Sequence, residues 1–187
     1  MTINHAVNHA AECPVSLEVP LAGFSHCHLC ILSQLQAFAE LPALQAAAAQ
    51  SRNVATKTLA LFKYAVYGHF ADEENELFPA VLRSAVQGEE ADRAQTMVKR
   101  LTTEHREIES LWKQLEPAVK AIAQAKSADL ELEAVEALMQ AFLAHANFEE
   151  QQFLPLAETI LARNGNHMAA LGLALHLRHA PYVVGHI

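Results

Sequence analysis

Two phrases in this chain repeat each other. HFADEENELFP begins at His69 and HANFEEQQFLP at His145, 76 residues later. In both, glutamates stand at +4 and +5 from the histidine, phenylalanine or leucine at +9, and proline at +10. Two further histidines keep nearly the same interval, His28 and His105 being 77 residues apart. The repeat predicts two helical hairpins related by a pseudo-twofold, each with one histidine helix and one His-x3-Glu helix.

The apolar pattern supports helices throughout. Phe24, His28, Ile31, Leu32, Leu35 and Phe38 form one stripe over about Pro20–Ala39, and Pro42 should then break or kink the helix before an alanine-rich turn. A second helix is expected from about Ser51 to Ala85, with Phe62, Val66, His69, Glu73, Leu77 and Ala80 on its stripe, Pro79 as a kink and Gly88 as a stop. The third runs from about Glu90 to Ala125, with Leu101, His105, Ile108, Trp112 and Leu115 on one face and Pro117 as a kink. The fourth runs from about Asp129 to Arg163, with Leu138, Phe142, His145, Glu149, Gln152 and Leu156 on one face, and Gly165 closes it as a C′ glycine. Apolar residues are 52% of the chain, mostly alanine and leucine, and aromatics only 6%, a balance that favours helix over sheet. Strand signals are absent. The expected fold is all-α: an up-down-up-down four-helix bundle over residues 18–163, after a flexible arm at 1–17 and before a C-terminal helix and tail at 164–187.

Several function classes are disfavoured at once. A net charge of −8 lacks the basic footprint that nucleic acid or an anionic membrane requires. No apolar run approaches the roughly 20 residues of a spanning helix, and MTINHAVNHAAEC does not read as a signal peptide. We expect a soluble cytoplasmic protein. Three cysteines imply no disulfide framework. Cys27 and Cys30, in GFSHCHLC, form a CxxC pair, but no strand precedes it as in a thioredoxin-like fold, and helix packing is the preferred reading.

The histidines point elsewhere. Residues i and i+4 lie about 40° apart around a helix, so imidazole and carboxylate enter the same space. The +5 position lies about 140° away, so Glu74 and Glu150 should face elsewhere. Glu73 and Glu149 are the carboxylates chosen. On the first helix His28 shares the stripe of Phe24, Leu32 and Leu35, while His26 points about 200° away and is the runner-up. The expected ligand set is His28, His69, Glu73, His105, His145 and Glu149. Two carboxylates in an apolar core are costly without compensating charge, and metal ions supply it. Six ligands exceed the four of a structural zinc, so two metals are expected. Imidazole with carboxylate suits iron, zinc or manganese. The Glu-x-x-His of ferritin-like sites is absent, since Ser25, Val66, Thr102 and Phe142 occupy the −3 positions.

The order His28, His69-x3-Glu73, His105, His145-x3-Glu149, with the words CHLCIL, HFADEENELFP, EHREIESLW and HANFEEQQFLP, resembles the hemerythrin-like family, the HHE cation-binding domain. The match covers roughly residues 20–160. The resemblance implies a non-haem di-iron centre, bridged by the two carboxylates and an oxo or hydroxo group, that meets oxygen, nitric oxide or peroxide with an electron donor of unknown identity. Oxygen-carrying hemerythrins have His-x3-His on the third helix; here Glu109 stands four after His105. Four histidines with two glutamates are similar to the branch linked to nitrosative-stress repair of iron centres, although the cysteine-containing N-terminal domain of that branch is not expected here.

Three readings follow: a redox protein that reacts with a diatomic gas or peroxide, a reversible oxygen binder for sensing or storage, and a metal-buffering or partner-binding bundle. Glu109 is a possible seventh ligand or a residue outside the ligand set. Glu104 is a candidate to orient a ligand histidine, and Tyr64 and Tyr67 are candidates to approach the cavity, with packing the plainer reading. His5 and His9 read as solvated, and His167 lies outside the repeated pattern. His176 and His179 could hold a surface metal, with a polar helix face the plainer reading.

Overall fold

In a computed structural model, residues 20–163 are described, with side chains from residue 28 onward. The expected N-terminal arm and the helix expected at 166–179 lie outside the described residues. The chain divides into two compact units, Met1–Gln50 and Ser51–Ile187, and each is taken by itself.

All described elements are helical, and among the described residues no strand forms. Helix α1 spans Pro20–Ala60. A π-helical segment, Leu61–Val66, carries it into α2 (Tyr67–Asp72). A second π segment, Glu73–Leu77, leads to α3 (Phe78–Ser84). Helix α4 spans Glu89–Ala123 and α5 spans Leu132–Phe148. A third π segment, Glu149–Phe153, precedes α6 (Leu154–Ala162).

One expectation is overturned here. No turn follows Pro42, because α1 continues through it to Ala60. Proline removes one donor and crowds the carbonyl four residues back, but Leu44–Gln50 is built from alanine, leucine and glutamine, strong helix formers with no glycine among them.

In the second unit, α2–α3, α4 and α5–α6 pack together. Ala85 leaves the helical region and ends α3, and Gly88 takes φ +105°, a conformation glycine adopts without a Cβ clash. Beyond it, Glu90 accepts from the Val86 N–H at 2.7 Å and from Arg163 at 2.6 Å, tying the start of α4 to the end of α6. At the other end of α4, Ala125 holds φ +59° and the Lys126 N–H closes on the Ala121 carbonyl at 2.9 Å. That is the Schellman ending, with alanine where glycine is usual.

The core has two apolar parts. One joins Phe62, Val66, Phe70, Ile108, Trp112 and Leu138, with Phe62 stacked on Trp112 at 3.9 Å between ring centroids. The other joins Phe78, Val81, Leu101, Phe153, Ala157 and Ile160. The α4 stripe read from the sequence is buried throughout: Leu101, His105, Ile108, Trp112 and Leu115. The stripes of the other two arms hold, apart from the exposed His69, only as far as the glutamates. Beyond Glu73 the buried residues are Phe78 and Val81 rather than Leu77 and Ala80, and beyond Glu149 they are Phe153 and Ala157 rather than Gln152 and Leu156.

The π segments explain the shift. The Phe78 N–H bonds the Glu73 carbonyl, and the Leu154 N–H bonds the Glu149 carbonyl, each an i→i−5 step. Every such turn holds one residue more than an α turn, so the apolar stripe moves on by one position. The two turns occupy equivalent places in the repeat. Each lies just before the proline at +10, whose ring crowds the carbonyl of residue i−4 and donates nothing to it.

Candidate metal centre

Five of the six expected ligands belong to the second unit, and they converge there. Glu73 opens one π segment and Glu149 the other; His69 is on α2, His105 on α4 and His145 on α5. Between the two apolar parts of the core, Glu73, His105, His145 and Glu149 are buried, with His105 0% and His145 1% exposed. His69 differs: it sits at the edge of the pocket with its side chain 55% exposed. His28 lies on α1 in the first unit, and its side chain is exposed.

Glu73 is the hub. One of its oxygens is 3.1 Å from His69 Nε2 and the other 3.1 Å from His105 Nε2. Two groups of possible ligand atoms result, Glu73–His105–His145 and His69–Glu73–Glu149, with the atoms of each within 4.8 Å of one another. Glu73 belongs to both.

The donor atoms have the character of ligands. Both Glu73 oxygens, His105 Nε2 and His145 Nε2 are buried without a well-formed hydrogen bond. Native interiors leave few such atoms, because each costs the solvation it has lost. Here they share one small space, and a cation would satisfy all of them. Without one, the charges redistribute. Burial, together with the neighbouring Glu73 carboxylate, pushes Glu149 up to about 9. Burial is the largest influence on Glu73 and works to raise it, but the closeness of His105, Glu149 and His69 together outweighs it and holds Glu73 below the usual range. Burial and the nearby His105 lower His145, against the pull of Glu104. The residues present fit a metal site of nitrogen and oxygen donors, the set that suits iron, zinc or manganese.

Aromatic rings enclose the imidazoles. Phe70 stacks on His105 at 3.8 Å and 11° and meets His145 edge-on at 5.6 Å. Phe78 lies 5.9 Å from His105. Stacking on His105 and edge-on contact with His145 fix the planes of both imidazoles.

The surrounding residues correct several sequence readings. Glu74 does not merely face elsewhere: its Oε1 is 2.7 Å from His105 Nδ1. The signal was present in the doubled Glu-Glu, but a straight-helix angle does not apply across a π turn. Glu104 approaches one of the two buried histidines, its Oε2 lying 3.3 Å from His145 Nδ1. Glu109 is held by Arg106 at 2.5 Å and lies outside both ligand groups. Tyr64 is 69% exposed, and Tyr67 packs against the apolar core. Cys30 is a free thiol. His5, His9, His167, His176 and His179 lie outside the described residues, as do the side chains of His26 and Cys27.

Fold and site together define an all-helical protein with a histidine–carboxylate pocket suited to cations. The chain matches the family described as Hemerythrin HHE cation binding domain over residues 20–157. It belongs to that hemerythrin family. No curated protein and no solved structure gives a significant match. Among the described residues, no helix is long and apolar enough to cross a membrane.

Proposed function

We propose that this protein carries a non-haem di-iron centre and uses it to bind or react with oxygen, nitric oxide or peroxide, in the response to oxidative or nitrosative stress or in iron-centre repair. One observation carries the reading: Glu73 is shared between two groups of possible metal-ligand atoms, and both its oxygens, His105 Nε2 and His145 Nε2 are buried without a well-formed hydrogen bond. Glu73 and Glu149 would serve as bridges, with His69, His105 and His145 as terminal ligands. His28 is added as the sixth ligand because of its 77-residue interval from His105. Iron bound in this pocket would supply the electrons for chemistry with a small oxidant. The chain itself contributes an apolar enclosure of Phe70 and Phe78, fixed imidazole planes, and a carboxylate, Glu149, that can hold or release a proton. Glu109 is engaged by Arg106 and stays outside the ligand set.

The test is anaerobic reconstitution with Fe(II), a count of metal per chain, and addition of oxygen or nitric oxide with the absorption spectrum recorded. Two irons per chain and a prompt spectral change support the reading. A stable spectrum reversed by degassing favours carriage or sensing over redox turnover. Less than about one iron per chain, with zinc retained instead, rules the di-iron reading out.

A further inference from the structure

Both fully buried histidines have the same support behind them. Glu74 touches His105 Nδ1 with Oε1, at 2.7 Å, and accepts from Arg106 Nη2 with Oε2. Glu104 touches His145 Nδ1 with Oε2, at 3.3 Å, and accepts from Arg100 Nε with Oε1, at 2.7 Å. In each case one carboxylate spans an imidazole and a guanidinium. Both guanidiniums belong to α4 and are themselves held: Arg106 donates to Glu109 at 2.5 Å, and Arg100 lies 3.6 Å over the Phe148 ring. Among the described residues, His69 has no comparable carboxylate behind it; its ion pair runs through Nε2 to Glu73.

We propose that Glu74 and Glu104, clamped by Arg106 and Arg100, are positioning residues that pre-organise one of the two metal positions, Glu73–His105–His145, so that it fills before the other. The proposal rests on the metal-site reading above. Its physical basis is the tautomer. An imidazole that donates its Nδ1 proton to a carboxylate carries its lone pair on Nε2. For His105 and His145, Nε2 is the atom that faces the pocket. The carboxylate also fixes the ring against rotation about its side-chain bonds. Metal-ligating histidines are commonly held this way, and loss of such a partner lowers metal affinity by about 10–100-fold. A position whose ligands are already oriented loses less conformational freedom on binding than one whose histidine is exposed. The wide turn at Glu73–Leu77 contributes to this arrangement, because within it consecutive acids serve opposite ends of one ring: Glu73 approaches His105 Nε2 and Glu74 approaches Nδ1.

The test uses the full chain, stripped of metal and titrated with Zn(II), which is diamagnetic. Long-range proton–nitrogen NMR of the histidine rings reads the tautomer before metal is added and shows which rings respond to the first equivalent. The expected wild-type result is Nδ1–H for His105 and His145, with the first equivalent shifting their Nε2 signals ahead of those of His69. E74A should mix the tautomers of His105 and weaken the first binding step by about 10–100-fold. E74Q, whose amide oxygen still accepts from Nδ1–H, should recover part of that loss and serves if E74A folds poorly. E107Q, on the exposed side of α4, should leave both readouts unchanged. Nε2–H rings in the wild type, or an unchanged tautomer and affinity in both Glu74 variants, overturn the proposal, as does first binding at His69. A wild type that takes up no metal but whose Nδ1–H tautomer is lost in E74A leaves the positioning role standing and defeats the metal reading instead.

Discussion

Glu73 and Glu149 face each other across one pocket and are driven toward opposite protonation states. Burial and the Glu73 charge raise Glu149 to about 9, while the nearby His105, Glu149 and His69 together outweigh burial and lower Glu73. The metal-free pocket thus holds one proton between two acids, as close carboxylate pairs do.

Metal binding should expel that proton. Because Glu149 must lose it to act as a ligand, metal affinity should climb as pH rises toward about 9. Calorimetric titration in buffers of different ionisation enthalpy counts the protons released per metal. A release of zero near pH 7 would contradict the pairing.

The same pair sets the stability of the metal-free protein. The folded value of Glu149 lies above its ordinary 4.5. Its contribution is therefore full below about 4.5 and declines as pH rises through about 9. Thermal midpoints of the metal-free chain should fall from pH 5 to pH 8 through this site, and E149Q should flatten that slope. Metal-free E149Q should also be more stable than wild type at pH 8, because a neutral amide carries no ionisation cost there.

The shared carboxylate makes substitutions unequal. Glu73→Ala removes a ligand from both groups and should abolish binding of two metals, whereas His28→Ala should leave the Glu73–His105–His145 position loaded. Metal counts after gel filtration separate the cases. Retention of two metals by Glu73→Ala would remove the bridge from consideration.

Two substitutions away from the ligands test the packing. Trp112 is 2% exposed and stacked on Phe62, so Trp112→Ala should cost about 3–5 kcal/mol in denaturant unfolding. Ala125 sits in the left-handed region at φ +59°. Ala125→Gly should be stabilising by up to about 1 kcal/mol, since glycine carries no Cβ penalty there. Destabilisation by this change would mean that the Schellman ending is not formed in solution.

Much of the pocket was legible in the sequence because i,i+4 geometry depends only on a regular turn. The turns containing His69–Glu73 and His145–Glu149 are regular up to the glutamate, so the expectation that Glu73 and Glu149 turn inward needed no tertiary knowledge. The next turn is not regular. Readings that carried a 3.6-residue period past Glu73 and Glu149 placed Leu77 and Gln152 where Phe78 and Phe153 belong, and turned Glu74 away from the site it supports. The repeated proline at +10 was the available sign, since a residue that cannot donate to the carbonyl four back invites a wider turn. Pro42 misled in the other direction: one missing hydrogen bond did not stop a helix rich in alanine. Partner choice across helices, such as Glu104 with His145, depends on packing distances that spacing along one helix does not contain.

The wide turns also have a mechanical consequence. In a straight helix, aiming Glu73 at the pocket would fix the direction of every side chain below it. One added residue decouples the two ends. The upper part can be rotated to present acids to a polar space while the lower part keeps phenylalanine and valine on the apolar axis. Each arm thereby works as two rods joined by a fixed swivel, and the same swivel occurs at the same place in both halves of the repeat.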